Sequence, residues 1–319
     1  MKDKYILDLN TGEEFQSFFL VLSKEVKTDS RGKQYLNLLL GDKTGEIQAK
    51  KWDVPDEELS AFARFDRGSL VKIKAVVNEW NGAKQLKIQK IRPVTDEDGT
   101  EHSDYYKAAP EDPNKMYDYV MGCAEKIKDS DLQKISIRVL QDNKEKLLYY
   151  PAAAKNHHAE FAGLLWHLKR MLMMAERWVE VYDFINIDIL YCGVILHDIE
   201  KLNEMDSDEN GLVSEYSFKG VLLGHLVQGA SSITLLAEEL KIPEEKKVML
   251  EHMAISHHYE PEFGSPRRPM FPEAEALHYL DMIDAKMYDF EDALAGVEEG
   301  DFSDRIWTLD NRRIYKRTF

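Results

Sequence analysis

The sequence predicts a two-domain protein in which an all-β module is followed by an all-α module. Residues 15–93 alternate apolar and polar side chains in short runs separated by polar turns, which is typical of strands. Residues 96–112 are acidic and rich in turn-forming residues, as linkers are. From residue 113 onward, apolar side chains recur at helical spacing. We therefore expect domains at 1–95 and 113–319, joined by a linker at 96–112.

The first module contains five strand-like runs and one helical run. We predict the strands and the helix, in chain order, at Phe18–Lys27, Gln34–Leu40, Glu46–Trp52, Pro55–Phe65 (the helix), Ser69–Trp80 and Gln85–Ile91. Asn81-Gly82 is a strong hairpin signal between the last two strands. Three strands, a helix and two strands follow one another in the order of an OB-fold, a barrel that often binds single-stranded nucleic acid.

Alternation within the second and third strands predicts a nucleic-acid-binding face. The apolar alternate residues are expected to point into the barrel: Leu36, Leu38, Ile47 and Ala49. Tyr35, Lys50 and Trp52 then point outward, where the aromatic rings can stack on bases and the lysine can bind phosphate. The flanking loops add further cations: Arg31, Lys33 and Lys84. In the alternative interpretation, Tyr35 and Trp52 simply pack against the helical module.

Charge is unevenly distributed between the two modules. The chain of 319 residues has a net charge of −16, which argues against a broadly basic nucleic-acid-binding protein. Residues 1–95 nevertheless carry a net charge of +3, and the remainder carries −19. A slightly basic module joined to an acidic one is compatible with nucleic-acid binding at the amino-terminal end, and equally with an ordinary solvated surface.

The composition predicts a cytoplasmic protein that is not inserted in a membrane. Hydrophobic residues make up 44% of the chain and charged residues 31%. No signal peptide is expected at the start, and no apolar run approaches the roughly 18–20 residues that a membrane helix needs. The two cysteines, Cys123 and Cys192, give no disulfide framework, which favours a reducing compartment.

Histidines cluster in the second module. Nine of the ten lie between His157 and His278. Together with two aspartates they form an ordered series of candidate metal ligands: His167, His197, Asp198, His225, His257, His258 and Asp281. Imidazoles mixed with carboxylates suit transition metals better than magnesium or calcium. One histidine alone is usually an ordinary buried or surface residue, but this ordered set predicts a metal site.

The neighbourhoods of these residues strengthen that prediction. His197 and Asp198 follow the apolar run 189–196, which resembles a buried helix that delivers two ligands at its end. His167 also lies in an apolar helical segment. Asp281 lies beside a helical apolar stripe, where a carboxylate is costly unless a cation compensates it. The stripe consists of Leu277, Leu280, Ile283 and Met287.

This pattern resembles the HD-domain superfamily of metal-dependent phosphohydrolases. Longer strings resemble the YhaM-type 3′→5′ exoribonucleases, bacterial proteins that join an OB-fold to an HD domain. The strings are Asn156-His157-His158-Ala159, Leu196-His197-Asp198-Ile199, Gly224-His225-Leu226, Ser256-His257-His258, Glu262-Phe263-Gly264-Ser265-Pro266 and Asp281-Met282-Ile283-Asp284-Ala285-Lys286-Met287. Two positions depart from the family. Trp166 stands where the family usually carries Glu, and Glu200 where it usually carries Gly.

We assign His167, His197, Asp198 and Asp281 to one metal ion, with Asp198 bridging to a second. The second ion would be completed by three histidines: His225, His257 and His258. One or two divalent transition-metal ions are expected, manganese first, with iron, cobalt, nickel or zinc as alternatives. His197, Asp198 and Lys201 are the candidate catalytic residues. His158, Arg267 and Arg268 join Tyr35, Lys50 and Trp52 as candidate substrate-binding residues.

The resemblance implies removal of nucleotides from the 3′ end of a single strand, releasing nucleoside 5′-monophosphates. RNA is the expected partner in preference to DNA. One alternative is an HD enzyme that acts on a small nucleotide or cyclic dinucleotide, although such a substrate needs no strand-holding barrel. Another is a non-catalytic nucleic-acid-binding protein with a decayed metal site, although all seven candidate ligands are present. The sequence predicts no particular oligomeric state.

Overall fold

The structure is a computed structural model, and it forms two compact units. It describes residues 2, 4–52, 54, 62–80, 82–100, 104–154 and 158–319. The first unit ends at Ala108 and the second begins at Ala109. We call them the barrel unit and the helical unit. Most of the predicted helix 55–65 lies outside the described residues, as does Asn81 of the predicted hairpin turn.

The barrel unit is a closed five-stranded barrel. Its strands are β1 (Glu14–Thr28), β2 (Gln34–Asp42), β3 (Gly45–Lys51), β4 (Leu70–Trp80) and β5 (Ala83–Pro93). They pair in the order β1-β2-β3-β5-β4, and β1 closes the barrel against β4. The β3–β5 pair is parallel and the other pairs are antiparallel. The predicted OB-fold is confirmed.

Alternation along the strands explains the barrel core. On β4, every second residue from Val71 to Val77 is buried, and the residues between them face outward. Leu38 on β2 pairs with Ala49 on β3, and both are fully buried. The inward positions that the sequence predicted on these two strands therefore lie in the core.

The acidic segment 96–112 begins on the barrel. Asp98 accepts two hydrogen bonds from the guanidinium of Arg92, both of 2.7 Å. Asp104 accepts a hydrogen bond of 2.6 Å from the hydroxyl of Tyr5. These contacts explain why the chain divides into units at Ala108, inside the segment predicted as a linker, rather than at residue 95.

The helical unit contains α1 (Pro113–Lys126), α2 (Ser130–Asp142), α3 (Lys144–Leu147), α4 (Gly163–Val181), α5 (Ile187–Leu196), α6 (Lys201–Glu204), α7 (Phe218–Leu240), α8 (Glu244–Ser256) and α9 (Pro272–Leu294). Two small antiparallel hairpins are added: β6 (Met205–Ser207) with β7 (Val213–Tyr216), and β8 (Phe302–Ile306) with β9 (Arg312–Tyr315). The predicted helical module is confirmed, and the two hairpins are an addition to it that the sequence did not reveal, because strands this short show no readable alternation.

Helix α5 forms the centre of the helical unit. Asn186 caps it by accepting a hydrogen bond of 2.9 Å from the backbone N–H of Asp188. Every residue from Ile189 to Leu196 is buried. A helix that is apolar all round is a core helix. Its carboxyl end therefore delivers His197 and Asp198 into the interior of the unit.

Helix α7 is long and apolar, and it is broken near its start. Gly224 has φ +68°, which interrupts the helical conformation. Among the described helices, only α7 has the length and composition to cross a membrane, contrary to the expectation that no run is this apolar. This is weak evidence for a membrane span, because core helices of soluble proteins have the same character, and 39% of its apolar window is buried.

A candidate metal centre in the helical unit

Five structural elements bring the seven predicted ligands together. His167 lies on α4, and Asp281 lies on α9. His197 and Asp198 directly follow α5, and His257 and His258 directly follow α8. His225 lies on α7, one residue after the break at Gly224.

Asp198 lies at the centre of this group and is 1% exposed. Its Oδ2 atom lies 3.3 Å from His197 Nε2 and 3.8 Å from His167 Nε2. Its Oδ1 atom lies 3.4 Å from His225 Nε2 and 3.6 Å from His257 Nε2. Asp198 is thus shared by two sets of candidate ligand atoms, one with His167 and His197, the other with His225, His257 and His258. Asp281 Oδ1 lies 3.4 Å from His167 Nε2.

The outer ring nitrogens of these histidines are fixed by acceptors. Backbone carbonyls accept from Nδ1 of His197 at 2.8 Å, of His257 at 2.9 Å and of His258 at 2.8 Å. A carbonyl can only accept, so Nδ1 carries the hydrogen and Nε2 has its lone pair directed toward Asp198. This is the tautomer that a metal-binding imidazole uses.

Carboxylates hold two further ligands in the same way. Glu204 lies 3.0 Å from His225 Nδ1, and its Oε1 also accepts from the backbone N–H of His225 at 2.9 Å. Asp284 Oδ2 accepts from His167 Nδ1 at 2.7 Å. Such carboxylate–histidine pairs orient metal ligands and raise their basicity.

The inner atoms of the cluster fit a metal ion. Nε2 of His197, His225 and His257 and Oδ1 of Asp198 are buried and have no hydrogen-bond partner in the part of the chain that the structure describes. Buried polar atoms normally have partners. The three Nε2 atoms lie 3.3–3.6 Å from an oxygen of Asp198, close to the roughly 3.0–3.4 Å that separates two ligand atoms each bound to one ion at about 2.1 Å.

Burial and neighbouring charges set the protonation states of the cluster. Burial, reinforced by His258, lowers the pKa of His257 to about 3, so this ring is neutral as a ligand must be. Burial opposes ionisation of Asp198, but the neighbouring cation of Lys201 helps to outweigh it, and the pKa of Asp198 lies well below the ordinary range. Lys201 Nζ lies 2.7 Å from Asp198 Oδ2. Burial opposes the charge on Lys201 as well, but Asp198 raises its pKa overall.

The break in α7 places His225. A side chain at Gly220 would meet the carbonyl oxygen of Glu204 at 2.0 Å, so only glycine allows this approach of α7 to the end of α6. The left-handed φ of Gly224 then turns the backbone N–H of His225 toward the Glu204 carboxylate. Sequence reasoning missed Glu204, although a glycine directly before a candidate ligand in an apolar helix is a signal for such a break.

Comparisons with known proteins agree with this two-domain fold. Residues 20–94 match a family described as an OB-fold nucleic acid binding domain, and residues 164–286 match the HD domain. The chain is 38% identical to the 3′-5′ exoribonuclease YhaM of Halalkalibacterium halodurans over 98% of this chain and 96% of that one. It is 36% identical to the protein of the same name in Bacillus subtilis over 99% of both chains. This chain belongs to the YhaM family of 3′-5′ exoribonucleases. A solved domain of replication protein A from Methanococcus maripaludis is similar to 28% of this chain and covers 93% of its own, with 22% identity and a TM-score of 0.25.

The two positions that depart from the YhaM family pattern lie outside the cluster. The Trp166 ring lies beside the cations of Lys169 and Arg170, 5.8 and 5.7 Å from its centroid. Glu200 accepts a hydrogen bond of 2.8 Å from Asn203. Among the described residues, neither belongs to a set of close candidate ligand atoms.

His158 supports the centre rather than facing a substrate. It is 0% exposed, and its Nε2 donates to Asp284 at 2.7 Å. Arg170 Nε contacts the other oxygen of Asp284 at 2.6 Å. The structure thus places His158 behind Asp284 rather than on an accessible surface, and its contact with substrate stays a prediction. Sequence order alone cannot separate a buried supporting histidine from a ligand.

The loop after His258 carries the two predicted substrate arginines on the surface. Arg267 is exposed. Arg268 is also exposed, pairs with Glu260 at 2.9 Å and lies 4.9 Å from the centroid of the Tyr259 ring. Because both residues follow the loop from His257 and His258, they belong to the same surface region as the end of α8.

The predicted face of the barrel unit exists as an aromatic pair. Tyr35 and Trp52 stack with ring centroids 4.5 Å apart, and Trp52 is 40% exposed. Lys50 Nζ lies 5.6 Å from the centroid of the Trp52 ring. Arg31 and Lys33 are exposed in the preceding loop, whereas Lys84 donates to the carbonyl of Leu9 at 2.6 Å. The face thus offers a ring surface beside a cation.

Proposed function

We propose that this protein is a metal-dependent 3′→5′ exonuclease that shortens single-stranded RNA and releases nucleoside 5′-monophosphates. The observation that carries the proposal is the convergence of histidine Nε2 atoms on the buried Asp198. Membership of the YhaM family supports RNA as the substrate and the 3′→5′ direction. A cytoplasmic location is part of the proposal.

We assign one ion to His167, His197, Asp198 and Asp281. The second ion shares Asp198 and is completed by His225, His257 and His258. Manganese is the first choice because the donors mix imidazoles with carboxylates, and iron, cobalt, nickel and zinc suit the same donors. When bound, such ions activate water as a nucleophile and neutralise charge on the phosphoryl group.

The chain's own residues then hold and orient the reactants. Lys201 keeps Asp198 ionised, and its remaining N–H groups are available to donate to a phosphate oxygen. Arg267 and Arg268 bind the substrate backbone, since guanidinium groups match phosphate geometry. Tyr35, Lys50 and Trp52 hold the strand on the barrel unit through stacking and phosphate contact.

An activity assay with metal removal and restoration tests the proposal. The protein is treated with EDTA, reloaded with Mn²⁺ and mixed with single-stranded RNA labelled at its 5′ end. We expect a ladder of products shortened from the 3′ end only after reloading. Asp198→Asn should abolish this activity, whereas Asp206→Asn, an equal change at an exposed aspartate on β6, should retain it.

Two outcomes would contradict the proposal. If cyclic dinucleotides or free nucleotides are hydrolysed and RNA is not, the protein is a small-nucleotide phosphohydrolase. If RNA is bound but no substrate is hydrolysed with any of the five metals, the protein is a non-catalytic binding protein. Metal content of the purified protein, measured by elemental analysis, separates a lost site from the absence of a suitable substrate.

A further inference from the structure

The barrel unit carries a basic groove that the proposed function does not use. It has a volume of about 450 Å³ and lies across strands β1, β3, β4 and β5. Five cations line it: Lys51, Lys72, Lys74, Lys90 and Arg92. Carbon atoms of Phe62 and Ile91 provide apolar surface, and the amides of Gln16 and Gln89 add groups that both donate and accept hydrogen bonds. Its volume lies within the range of ligand-binding clefts.

The pairing of β4 with β5 places like charges opposite one another. Lys72 is the direct partner of Arg92, and Lys74 is the direct partner of Lys90. All four lie at outward positions of the barrel. Like charges directly opposite in an antiparallel pair destabilise a sheet. An anion held between these strands would relieve that repulsion.

The protein's own carboxylates relieve only part of the repulsion between the cations on β4 and β5. Asp98 lies 2.7 Å from Arg92 and 3.4 Å from Lys72, and Glu14 lies 2.5 Å from Lys74. No carboxylate of the described residues lies within ion-pair distance of Lys90, which is exposed. The exposed Lys90 therefore leaves positive charge available to an anion in a chain whose net charge is −16.

The groove is separate from the aromatic face. Tyr35, Lys50 and Trp52 lie on β2 and at the end of β3, whereas four of the five groove cations lie on β4 and β5. A strand of RNA that crosses the barrel can thus contact a stacking surface and a phosphate-binding surface. Phosphate contacts position nucleic acid without reading its sequence, which suits an enzyme that acts on successive nucleotides.

We propose that this groove binds the phosphodiester backbone of single-stranded RNA, with Lys90 contacting a phosphate directly. The inference rests on the proposed function for the identity of the nucleic acid. Apolar surface and amides beside the cations accommodate the sugar and base that accompany each phosphate. A free nucleotide carries the same groups, and the experiment separates these two sources.

The test measures binding in EDTA, so that hydrolysis does not interfere. Fluorescence anisotropy with a fluorescein-labelled oligouridylate gives the association constant at a series of salt concentrations. Each phosphate contact contributes about 0.7 to the slope of log K against log salt for single strands. We expect Lys90→Ala to weaken binding and to reduce this slope by about 0.7. Lys115→Ala, the same change at an exposed lysine on α1, should match the parent.

An unchanged slope for Lys90→Ala would overturn the inference, as would equal competition by uridine monophosphate and by oligouridylate at equal nucleotide concentration. The melting temperature of Lys90→Ala should equal that of the parent, since the side chain is exposed. Failure of the proposed function looks different. A Lys90-dependent slope without Mn²⁺-dependent hydrolysis would leave the groove intact and reject the exonuclease, and the reverse result would reject the groove alone.

Discussion

Asp284 is the carboxylate on which the inner support of the metal centre depends. It is 1% exposed and contacts His158, His167 and Arg170 at 2.6–2.7 Å. Burial raises the pKa of Asp284, but the hydrogen bonds from His158 and His167 outweigh burial and lower it. Removing one partner of a buried charge pair leaves the others uncompensated, which costs far more than an exposed pair is worth.

We therefore expect Asp284→Asn to lower the free energy of unfolding of the metal-free protein by about 3–5 kcal/mol. Urea unfolding in EDTA measures the change. The matched control is Glu291→Gln, because Glu291 contacts the same Arg170 at 3.8 Å but is 80% exposed in its side chain. An equal loss in both variants would show that Asp284 contributes no more than a surface charge.

Glu204 has a different task, which is to direct Nε2 of His225 toward Asp198. Losing such an outer carboxylate typically lowers metal affinity by about 10–100-fold. We expect Glu204→Gln to weaken one of the two ions by that factor and to leave the other unchanged, as measured by Mn²⁺ titration calorimetry. Glu200→Gln, at the start of the same short helix, should bind both ions as the parent does. Equal weakening of both ions would contradict the assignment of His225 to one ion.

Residue types singled out the seven candidate ligands, which the structure brings together, because histidines and aspartates in that order have few other uses. The supporting residues were harder to find. Glu204 lies 21 residues before His225 in the chain, and Asp284 lies 117 residues after His167. Nothing in a single sequence reports which distant carboxylate a buried imidazole will meet. The same limit applies to His158, which meets Asp284 across 126 residues of the chain.

At the scale of elements, the break in α7 connects the fold to the site. An apolar run with three glycines can still form a continuous helix, because glycine lowers helix stability without excluding it. The structure instead places Gly224 at φ +68°, where other residues are strained. The hairpins β6–β7 and β8–β9 escaped prediction for a similar reason, since three to five residues carry too little pattern.

We expect Gly224→Ala to lower the free energy of unfolding by about 1–3 kcal/mol, because φ +68° with ψ 166° is a backbone conformation that essentially only glycine adopts. Among the described residues, only the Glu204 carboxylate comes within 4 Å of the added carbon, at 3.7 Å, so no clash contributes. Gly122→Ala on α1 is the matched control. No atom of the residues that the structure describes lies within 4 Å of its added carbon, and its helical backbone should be stabilised by the change. Denaturant unfolding measures the free energy of unfolding of both variants. If Gly224→Ala is more stable than the parent, α7 is continuous in solution and the prediction is wrong.

At the scale of the whole molecule, the two predicted modules follow from patterning that differs between the two parts of the chain. Alternation of period two predicted the ends of the barrel strands to within a few residues. Helical spacing predicted the second unit. The boundary between the two units was harder to predict from the sequence. Acidic, turn-rich residues suggested a linker from residue 96, but Asp98 and Asp104 find cationic and phenolic partners on the barrel. Composition identifies such a segment as polar, but it does not show which side chains of the barrel will pair with it.

The division of work between the units can be tested through Trp52. Stacking of one base on an aromatic ring is worth about 1–3 kcal/mol, so Trp52→Ala should weaken binding of long single-stranded RNA by roughly ten-fold or more. Hydrolysis of a dinucleotide, which is too short to occupy both units, should remain near the parent rate. Trp307→Ala is the matched control, because Trp307 is 75% exposed in the helical unit. Equal activity of Trp52→Ala and the parent on both lengths would show that the Tyr35–Trp52 pair serves packing rather than binding. A matching loss on both lengths would point to damaged folding, which the melting temperature of the variant would reveal.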